Sequence, residues 1–463
     1  MAQINIPRTN QITTHEGATA KQINVEQQLR RSVLACLLWE DQFYESGVEV
    51  ASRIAELVPK VPPMKVVLLA EEARDKMKLR HVPLLLAREM ARHDTHKGFV
   101  SSLLEHIIQR PDELSEFVAL YWKAGKCPLS GQVKKGLAKA FVKFDAYQLA
   151  KYNRDRDVKL RDVLFLCHAK PNSIEQQTTW KALIDGTLAP PDTWEVGLSS
   201  GRDKRVVWEE LLTKRKLGAM ALLRNLRNMS EVGVTERLVQ RGLEHLSTQR
   251  ILPFRFISAA YAVPQWEHWI EPVMLRCMEN HEKLSGHTVL LLDVSGSMND
   301  SITYKSDITR LDVACGLAML AREICEKVDV FTFSMEFVRI PARRGFALRD
   351  VIVNSQIHSG TPLGLAVKTI YADSKFSQDT VDLGFYGVRS VKGYRGQNLS
   401  PDRLIVFTDE QSHDSVPDPR GKGYMINVAR CKNGVGYYKW NHIDGWSESI
   451  IDYIQEAEKL VLN

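Results

Sequence analysis

A short apolar segment followed at once by small polar residues constrains this chain most. It runs Thr288-Val-Leu-Leu-Leu and continues as Asp293-Val-Ser295-Gly-Ser297. An uncharged run of this length that leads into a Gly-containing turn predicts a buried strand of the parallel type. Ligands of open α/β sheets bind beyond the carboxyl ends of the strands, so Asp293, Ser295 and Ser297 are expected at a binding crevice.

Two later segments are expected at the same edge of the sheet. Leu404-Ile-Val-Phe-Thr is a second apolar strand pattern that runs into Asp409, and Thr361-Pro362 opens a helical pattern. One carboxylate and two hydroxyls already supply oxygen ligands only, which suit Mg²⁺, with Mn²⁺ or Ca²⁺ as alternatives, rather than Zn²⁺.

This arrangement resembles the metal-ion-dependent adhesion site of von Willebrand factor A domains. The resemblance implies an open coordination position for an acidic group of a protein partner, and ligation, direct or through water, by Asp293, Ser295, Ser297, Thr361 and Asp409. The alternative interpretation is that Asp293 and the serines shape a turn, and that Thr361 is an ordinary helix N-cap before Pro362 at the first helical position.

From residue 286 onward the pattern alternates between strands and helices. It predicts a mostly parallel sheet with helices on both faces. The predicted strands are 289–294, 329–334, 337–340, 404–408 and 424–428, and the predicted helices are 309–327, 347–356, 362–371 and 448–462. The segment 373–400 is longer than most loops. It is interpreted either as a disordered insertion or as a hairpin that carries Arg389, Lys392 and Arg395 near the metal site.

Before residue 286 the patterns are helical, and prolines separate short helices. Such a series predicts helix pairs stacked as a solenoid. A single helix is predicted over 133–152, with Leu137, Phe141 and Phe144 on its core face and a basic stripe opposite. The stripe is formed by Lys135, Lys139, Lys143, Tyr147 and Lys151. Lysines neutralise phosphates and tyrosines stack on bases. A solvated helix face with no partner is the alternative.

The chain carries a net charge of +6, and its excess of basic residues lies before residue 286. Clustering of those residues says more about a polyanionic partner than the total charge does.

Several motifs in this helical part resemble the TROVE module of the Ro autoantigen family. They are Leu129-Ser130, Lys134-Lys135-Gly136, Phe144-Asp145-x-Tyr147, Lys151-Tyr152, Arg161 to His168 followed by Lys170-Pro171, Trp180 with Trp194, Ala221 to Met229, and Arg250 to Phe254. The compact length is similar to bacterial members of the family.

The resemblance implies an all-α ring of HEAT-like helix pairs over residues 1–285, formed by a monomer. A doubly wound, Rossmann-like α/β domain of von Willebrand factor A type, over residues 286–463, would close the ring. Single-stranded 3′ ends of misfolded RNA are expected in its hole, and structured Y-like noncoding RNAs on its basic outer face. An exoribonuclease is the implied protein partner.

Two residues, Lys151 and His168, match positions where the family contacts RNA. The full set of candidate RNA-binding residues is Lys134, Lys135, Lys139, Lys151, Arg154, Arg156 and His168. Asp155 stands where the family has a further arginine, so this contact departs from the family pattern.

Catalysis is not expected. The sequence contains no P-loop, no GxGxxG after a strand, and no GxSxG or HExxH motif. Too few carboxylates cluster for a metal-dependent nuclease. The competing hypotheses are a metal-dependent protein-adhesion module with the helical part as scaffold, and a hydrolase that uses Asp293 or Asp409.

A cytoplasmic, membrane-free protein is expected. No apolar run of eighteen residues occurs, and the first residues do not have the pattern of a secretory signal. The seven cysteines are scattered singly, which predicts reduced core residues rather than disulfides or a zinc site.

Overall fold

The structure is a computed structural model of the chain. It describes residues 12–20, 23–35, 47–75, 79–189, 194–199, 201–248, 251, 253–277, 279, 282–302, 308–371, 399–429, 431, 433–445, 454 and 458. The segment 373–400 lies almost entirely outside the described residues, as does nearly all of the predicted helix 448–462.

The chain divides into two compact units. We call residues 24–33 and 48–207 the helical unit, and residues 208–463, with 1–23 and 34–47, the sheet unit. The division of the chain at residue 285 into two functional domains stays a prediction, as does the ring.

Helices alone make up the regular structure described before residue 208. They are α1 Val25–Ala35, α2 Gly47–Leu57, α3 Pro63–Asp75, α4 His81–Met90, α5 Val100–Ile107, α6 Pro111–Tyr121, α7 Gly131–Phe141, α8 Ala146–Tyr152, α9 Leu160–Cys167, α10 Ile174–Asp185, α11 Trp194–Ser199 and α12 Lys204–Thr213, which crosses into the sheet unit; short 3-10 turns lie at Val58–Lys60 and Lys97–Phe99.

Alternate helices of the helical unit pack side by side. Helices α3, α5, α7 and α9 contact one another in that order, and α4, α6, α8 and α10 form a second row. This two-row stacking is typical of helical solenoids, and it confirms the predicted helix pairs for this unit. Within the first row, α5 and α7 approach closely at Gly136, where an added Cβ would lie 2.9 Å from both Leu104 Cβ and Ser101 O.

The prediction of one helix over 133–152 is wrong, because α7 ends at Phe141 and α8 begins at Ala146. Asp145 stops a continuous helix: its side chain accepts the Gln148 N–H at 2.7 Å, while Gln148 Oε1 accepts the Asp145 N–H at 3.1 Å. This reciprocal cap starts a new helix. The predicted core residues Leu137, Phe141 and Phe144 are buried, as expected.

The break also divides the predicted lysine stripe. Lys143 lies beyond the end of α7, and its ammonium donates to the carbonyls of Glu105 and Ile108 at the end of α5. Cations are favourable at this end of a helix because the last carbonyls are otherwise unpaired. Lys143 is therefore engaged inside the helical unit.

The sheet unit contains further helices and one mixed sheet. The helices are α13 Ala219–Glu231, α14 Glu236–Glu244, α15 Pro253–Ala262, α16 Glu267–Arg276, α17 Arg310–Ile324, α18 Gly345–Val353 and α19 Leu363–Ile370, with 3-10 turns at Pro264–Trp266 and Gly296–Asn299. The strands are β1 Leu284–Asp293, β2 Cys325–Phe333, β3 Phe337–Ile340, β4 Arg403–Thr408, β5 Lys422–Asn427 and β6 Trp440–Asp444.

The strand order is β3-β2-β1-β4-β5-β6, and every pair is parallel except β2 with β3. All six residues of β4 are buried, so both faces of the sheet are covered. The predicted α/β fold is confirmed. Strand β6 was not predicted, because its polar residues Asn441 and His442 interrupt the apolar pattern that marks the central strands.

Helices α15 and α16 pack on the helices that cover this sheet. The Tyr261 hydroxyl donates to Asp312 on α17 at 2.7 Å, and Glu271 accepts the backbone N–H of Phe346 on α18 at 2.8 Å. The last helices before β1 are therefore structurally part of the sheet unit.

In the described part of the chain, no helix combines the length and the apolar character needed to cross a membrane. The cysteines within this part are free thiols. Four of them are buried as expected, whereas Cys127 is exposed and Cys277 is half-buried, so the prediction of core cysteines is wrong for these two. Cys36 lies outside the described residues.

Candidate cation site and basic surface

The predicted metal ligands lie where the strand order reverses. Strands β1 and β4 are neighbours in the sheet although far apart in sequence. Asp293 ends β1, and Asp409 directly follows β4. A crevice forms at such a reversal because the connections from the two strands leave in opposite directions.

Four of the five predicted ligands are joined by short contacts. Ser297 Oγ donates to Asp409 Oδ2 at 2.5 Å, and the hydroxyls of Ser295 and Ser297 are 3.3 Å apart. Asp293 Oδ1 accepts the Ser295 N–H at 2.9 Å, and its Oδ2 accepts the Thr408 hydroxyl at 2.6 Å. We call this group, together with Thr361, the cation cup.

The segment before α19 is tied to both other parts of the cup. The Gly296 N–H donates to Ser359 O at 2.8 Å, and the Ser412 hydroxyl donates to Thr361 O at 3.0 Å. These bonds bring the turn after β1, the segment before α19 and the turn after β4 together. The predicted convergence of the three segments is thus present in the structure.

Thr361 does not cap α19. Asp414 does so instead, because its two carboxylate oxygens accept the N–H groups of Gly364 and Leu365 at 2.7 Å each. Helix α19 begins at Leu363, so Pro362 is its N-cap rather than its first residue. Thr361 is 6% exposed, and no other described residue makes a hydrogen bond to its hydroxyl. The capping interpretation of Thr361 is wrong.

Two buried carboxylates face each other in the cup. Burial raises the pKa of Asp293 to about 7, and the negative charge of Asp409 acts in the same direction. Arg310 at the start of α17 offsets part of this charge: its Nη1 lies 3.6 Å from Asp409 Oδ2 and donates to Ser297 O at 2.8 Å.

Sequence reasoning missed Arg310, Thr408 and Asp414. Arg310 could have been identified from the sequence, because a cation in the first turn of a helix is unfavourable with the helix dipole unless a carboxylate lies nearby. Asp414 could not, because it caps a helix fifty positions earlier in the chain.

The donor set fits a divalent hard cation. Its side-chain donors are carboxylate and hydroxyl oxygens, and the Thr361 hydroxyl has no hydrogen bond to any described residue. Mg²⁺, Mn²⁺ and Ca²⁺ prefer such ligands. A bound cation would offset both the burial and the charge of Asp409 that raise the pKa of Asp293. The charge of Arg310 would weaken that binding.

The predicted RNA-binding residues differ in whether they form an ion pair with a carboxylate. Lys139 pairs with Glu105 at 2.6 Å, and Arg156 pairs with Glu116 at 2.8 Å. The other five predicted residues are exposed or half-buried, and within the described ranges no carboxylate oxygen lies within 4.0 Å of their side chains. We call these five residues the basic surface: Lys134, Lys135, Lys151, Arg154 and His168.

Asp155 pairs with Lys159 at 2.6 Å. This ion pair engages one of the positive charges near the basic surface.

Exposed aromatic rings accompany the basic surface. Tyr147 is 50% exposed and lies one helical turn before Lys151 on α8, and Phe165 is 58% exposed and lies on the last turn of α9, three positions before His168. Phe165 and the exposed Lys170 were not among the predicted site residues. An apolar residue on the outer side of a helix pattern is a signal that could have identified Phe165.

The comparisons with known proteins extend these observations. The family model described as "TROVE domain" matches residues 185–310. Telomerase protein component 1 is 41% identical over 86 residues in Mus musculus and 41% identical over 78 residues in Rattus norvegicus. These segments cover 17% and 16% of this chain, and 3% of each relative.

The crystal structure of the Deinococcus radiodurans Ro (Rsr) protein has a TM-score of 0.59 at 17% identity. It covers 92% of this chain, and 97% of the D. radiodurans chain is covered.

The protein therefore belongs to the structural class in which stacked helix pairs are followed by a mixed α/β domain. That α/β domain carries a polar cup. Residues 185–310 and the related telomerase-component segments thus show that part of the chain is similar to TROVE-domain proteins, and the fold of the chain is similar to that of the D. radiodurans Ro protein. Residues 129–171, which carry the basic surface, lie before the matched range, so their RNA contacts stay a prediction.

Proposed function

We propose that the protein binds RNA through the basic surface of the helical unit. The observation that carries this proposal is the presence of exposed aromatic rings next to candidate RNA-binding side chains: Tyr147 lies one turn before Lys151 on α8, and Phe165 lies three positions before the exposed His168 that terminates α9. Cations without carboxylate partners neutralise phosphates, and exposed rings stack on unpaired bases.

The proposed RNA ligands are of two kinds. Structured Y-like noncoding RNA would lie on the basic outer face, and single-stranded 3′ ends of misfolded RNA would enter the hole of the predicted ring. The affinity for single strands is supported by the exposed rings, since a base in a duplex has no free face on which a side chain can stack.

Measurement of RNA affinity at several salt concentrations tests the proposal. The probe is a hairpin RNA with a single-stranded 3′ tail, and the variants are Lys151→Ala, Arg154→Ala and His168→Ala. For single strands, log affinity falls with log salt by about 0.7 per neutralised phosphate. The double variant of Lys151 and Arg154 should therefore lower the slope by roughly 1.4 and weaken binding at low salt.

Lys139→Ala and Arg156→Ala are matched controls, because these two cations already pair with Glu105 and Glu116. They should change affinity and slope less than the variants of the basic surface. Equal losses in both groups, or none in either, would contradict the assignment.

The cation cup is proposed to bind Mg²⁺, or else Mn²⁺ or Ca²⁺. The residues that would hold the ion are Asp293, Ser295, Ser297, Thr361 and Asp409, and the ion would supply an open position for an acidic group. A protein partner, for which an exoribonuclease is our candidate, would dock there. The alternative function, protein adhesion with the helical unit as scaffold, predicts that variants of the basic surface leave the biological activity intact.

Catalysis is not part of the proposal. The hydrolase hypothesis predicts that RNA cleavage in Mg²⁺ or Mn²⁺ is lost on Asp293→Ala or Asp409→Ala. The cytoplasmic location likewise stays a prediction.

A further inference from the structure

A second group of ligand-type side chains lies beside the cation cup. His442 and Asp444 belong to β6, two positions apart, so both side chains are on the same face of the strand. Glu410 follows Asp409 in the turn after β4. One nitrogen or oxygen atom from each of the three lies within 4.8 Å of the others.

The three groups converge on a single atom. His442 Nε2 lies 2.6 Å from Glu410 Oε1 and 3.0 Å from Asp444 Oδ1. The three side chains are 3%, 0% and 5% exposed, respectively. The group is thus almost completely shielded from water.

The surrounding residues hold this group in place. The Gly436 N–H donates to Glu410 Oε2 at 3.0 Å, and the Asn427 amide donates to Asp444 Oδ1 at 2.8 Å. The Tyr437 ring packs edge-on against the His442 ring, with 4.2 Å between centroids. A Cβ at Gly436 would lie 3.2 Å from the imidazole, so a larger residue there would crowd the ring. Outer contacts of this kind orient metal ligands.

A hydrogen-bonded triad explains the geometry poorly. One ring nitrogen carries at most one hydrogen, which points well at one oxygen only. A divalent ion would accept a lone pair from a neutral Nε2 and one from each carboxylate.

The distances are close to those of a metal site. Ligand atoms about 2.0–2.2 Å from an ion lie roughly 3.0–3.5 Å from one another. The separation of 3.0 Å between His442 and Asp444 already meets this value, and that of 2.6 Å between His442 and Glu410 needs only a small opening.

We propose that Glu410, His442 and Asp444 form a second divalent-cation site, distinct from the cation cup and selective for Zn²⁺ or Mn²⁺. One imidazole with two carboxylates suits these borderline ions better than Mg²⁺, which prefers oxygen alone. The ion joins the turn after β4 to the edge strand β6 across the end of β5. It thereby braces the turn that carries Asp409.

The test uses the full chain without a histidine tag, stripped with chelator and reloaded. Wild type should retain one Zn²⁺ per chain in excess Mg²⁺, measured by elemental analysis after desalting. Loaded with Mn²⁺, it should show nitrogen coupling to the ion in pulsed electron paramagnetic resonance. The oxygen-only cup cannot produce that coupling.

His442→Gln and Asp444→Asn should each bind Zn²⁺ at least about 100-fold more weakly, since loss of an outer contact alone costs 10–100-fold. His442→Gln should also lose the nitrogen coupling. Asp293→Ala, which disables the cup, should keep both signals, and so should Lys439→Ala at the exposed residue just before β6. A stripped wild type that takes up no Zn²⁺, or a folded His442→Gln variant that keeps both signals, would overturn the proposal.

Discussion

His168 has a backbone conformation that favours glycine. It terminates α9 with φ 54° and ψ 41°, in the left-handed region. A residue with a Cβ is strained there by roughly 1–2 kcal/mol.

His168→Gly should therefore separate binding from stability. The variant should be as stable as wild type or more stable by up to about 1 kcal/mol, because the strain is removed. Its affinity for a 3′-tailed RNA should fall, because the ring is lost. Urea unfolding and fluorescence anisotropy measure the two effects, and an unchanged affinity would mean that the ring does not contact RNA.

Glu116 has the clearest pH signature in the helical unit. Burial raises the pKa of its carboxyl, but hydrogen bonds from His81 and Arg156 and the charge of Arg80 outweigh burial and lower the pKa from 4.5 to about 2. A carboxyl whose pKa is lower in the folded state than in the unfolded state stabilises the protein at pH values above the unfolded-state pKa. That contribution is lost as the pH falls from about 4.5 to about 2.

Glu116→Gln should cost about 2 kcal/mol at pH 7, less than the pKa change alone implies because solvent screens this partly exposed carboxyl, and the difference from wild type should shrink toward zero near pH 2. Urea unfolding at pH 7, 5 and 3 measures the trend. Glu175→Gln, a change at an exposed residue of α10, should show a small difference at every pH. A difference for Glu116→Gln that stays constant down to pH 3 would contradict the predicted linkage.

At the scale of elements, the break between α7 and α8 decides which lysines face solvent. Lys135 and Lys139 lie on α7 and Lys151 on α8, so the three do not form one continuous stripe. The reciprocal bonds of Asp145 and Gln148 start the second helix.

Asp145→Ala should cost about 1 kcal/mol of stability. The Gln148 N–H loses its acceptor, and the Gln148 side chain is no longer held in position to accept the N–H of residue 145. Asp145→Asn keeps an acceptor oxygen and should cost less. Chemical denaturation of both variants gives the comparison. Equal stability of Asp145→Ala and wild type would show that packing alone sets the helix boundary.

At the scale of the whole molecule, a ligand of the cation cup should stabilise the sheet unit by mass action. A Mg²⁺ concentration of about 100 times the Kd would add about 2.7 kcal/mol. Asp293→Ala and Asp409→Asn should abolish the Mg²⁺-dependent rise in Tm. Asn299→Ala, an exposed neighbour in the same loop, should keep it.

Equal shifts in wild type and Asp293→Ala would disprove the coordination. If Mg²⁺ does not shift the Tm of wild type, Arg310, which lies 3.6 Å from Asp409, neutralises the carboxylates of the cup and no metal ion binds there.

Much of the sheet unit could be predicted because its central strands are locally encoded. The apolar runs of β1 and β4 are buried on both faces, so each shows an uninterrupted pattern with a carboxylate at its end. Edge strand β6 was missed because only half of its surface is buried, and its sequence Trp-Asn-His-Ile-Asp resembles a loop.

The sequence alone predicted the helical first part, the central strands of the sheet and the convergence of oxygen side chains at the cup, because apolar period and turn chemistry act over a few residues. Only the tertiary structure decided that Arg310 faces Asp409, that Asp414 caps α19, and that β6 brings His442 to Glu410. These contacts join residues 32 to 99 positions apart. Long-range contacts of this kind depend on strand order and helix packing, which no local pattern of residues specifies.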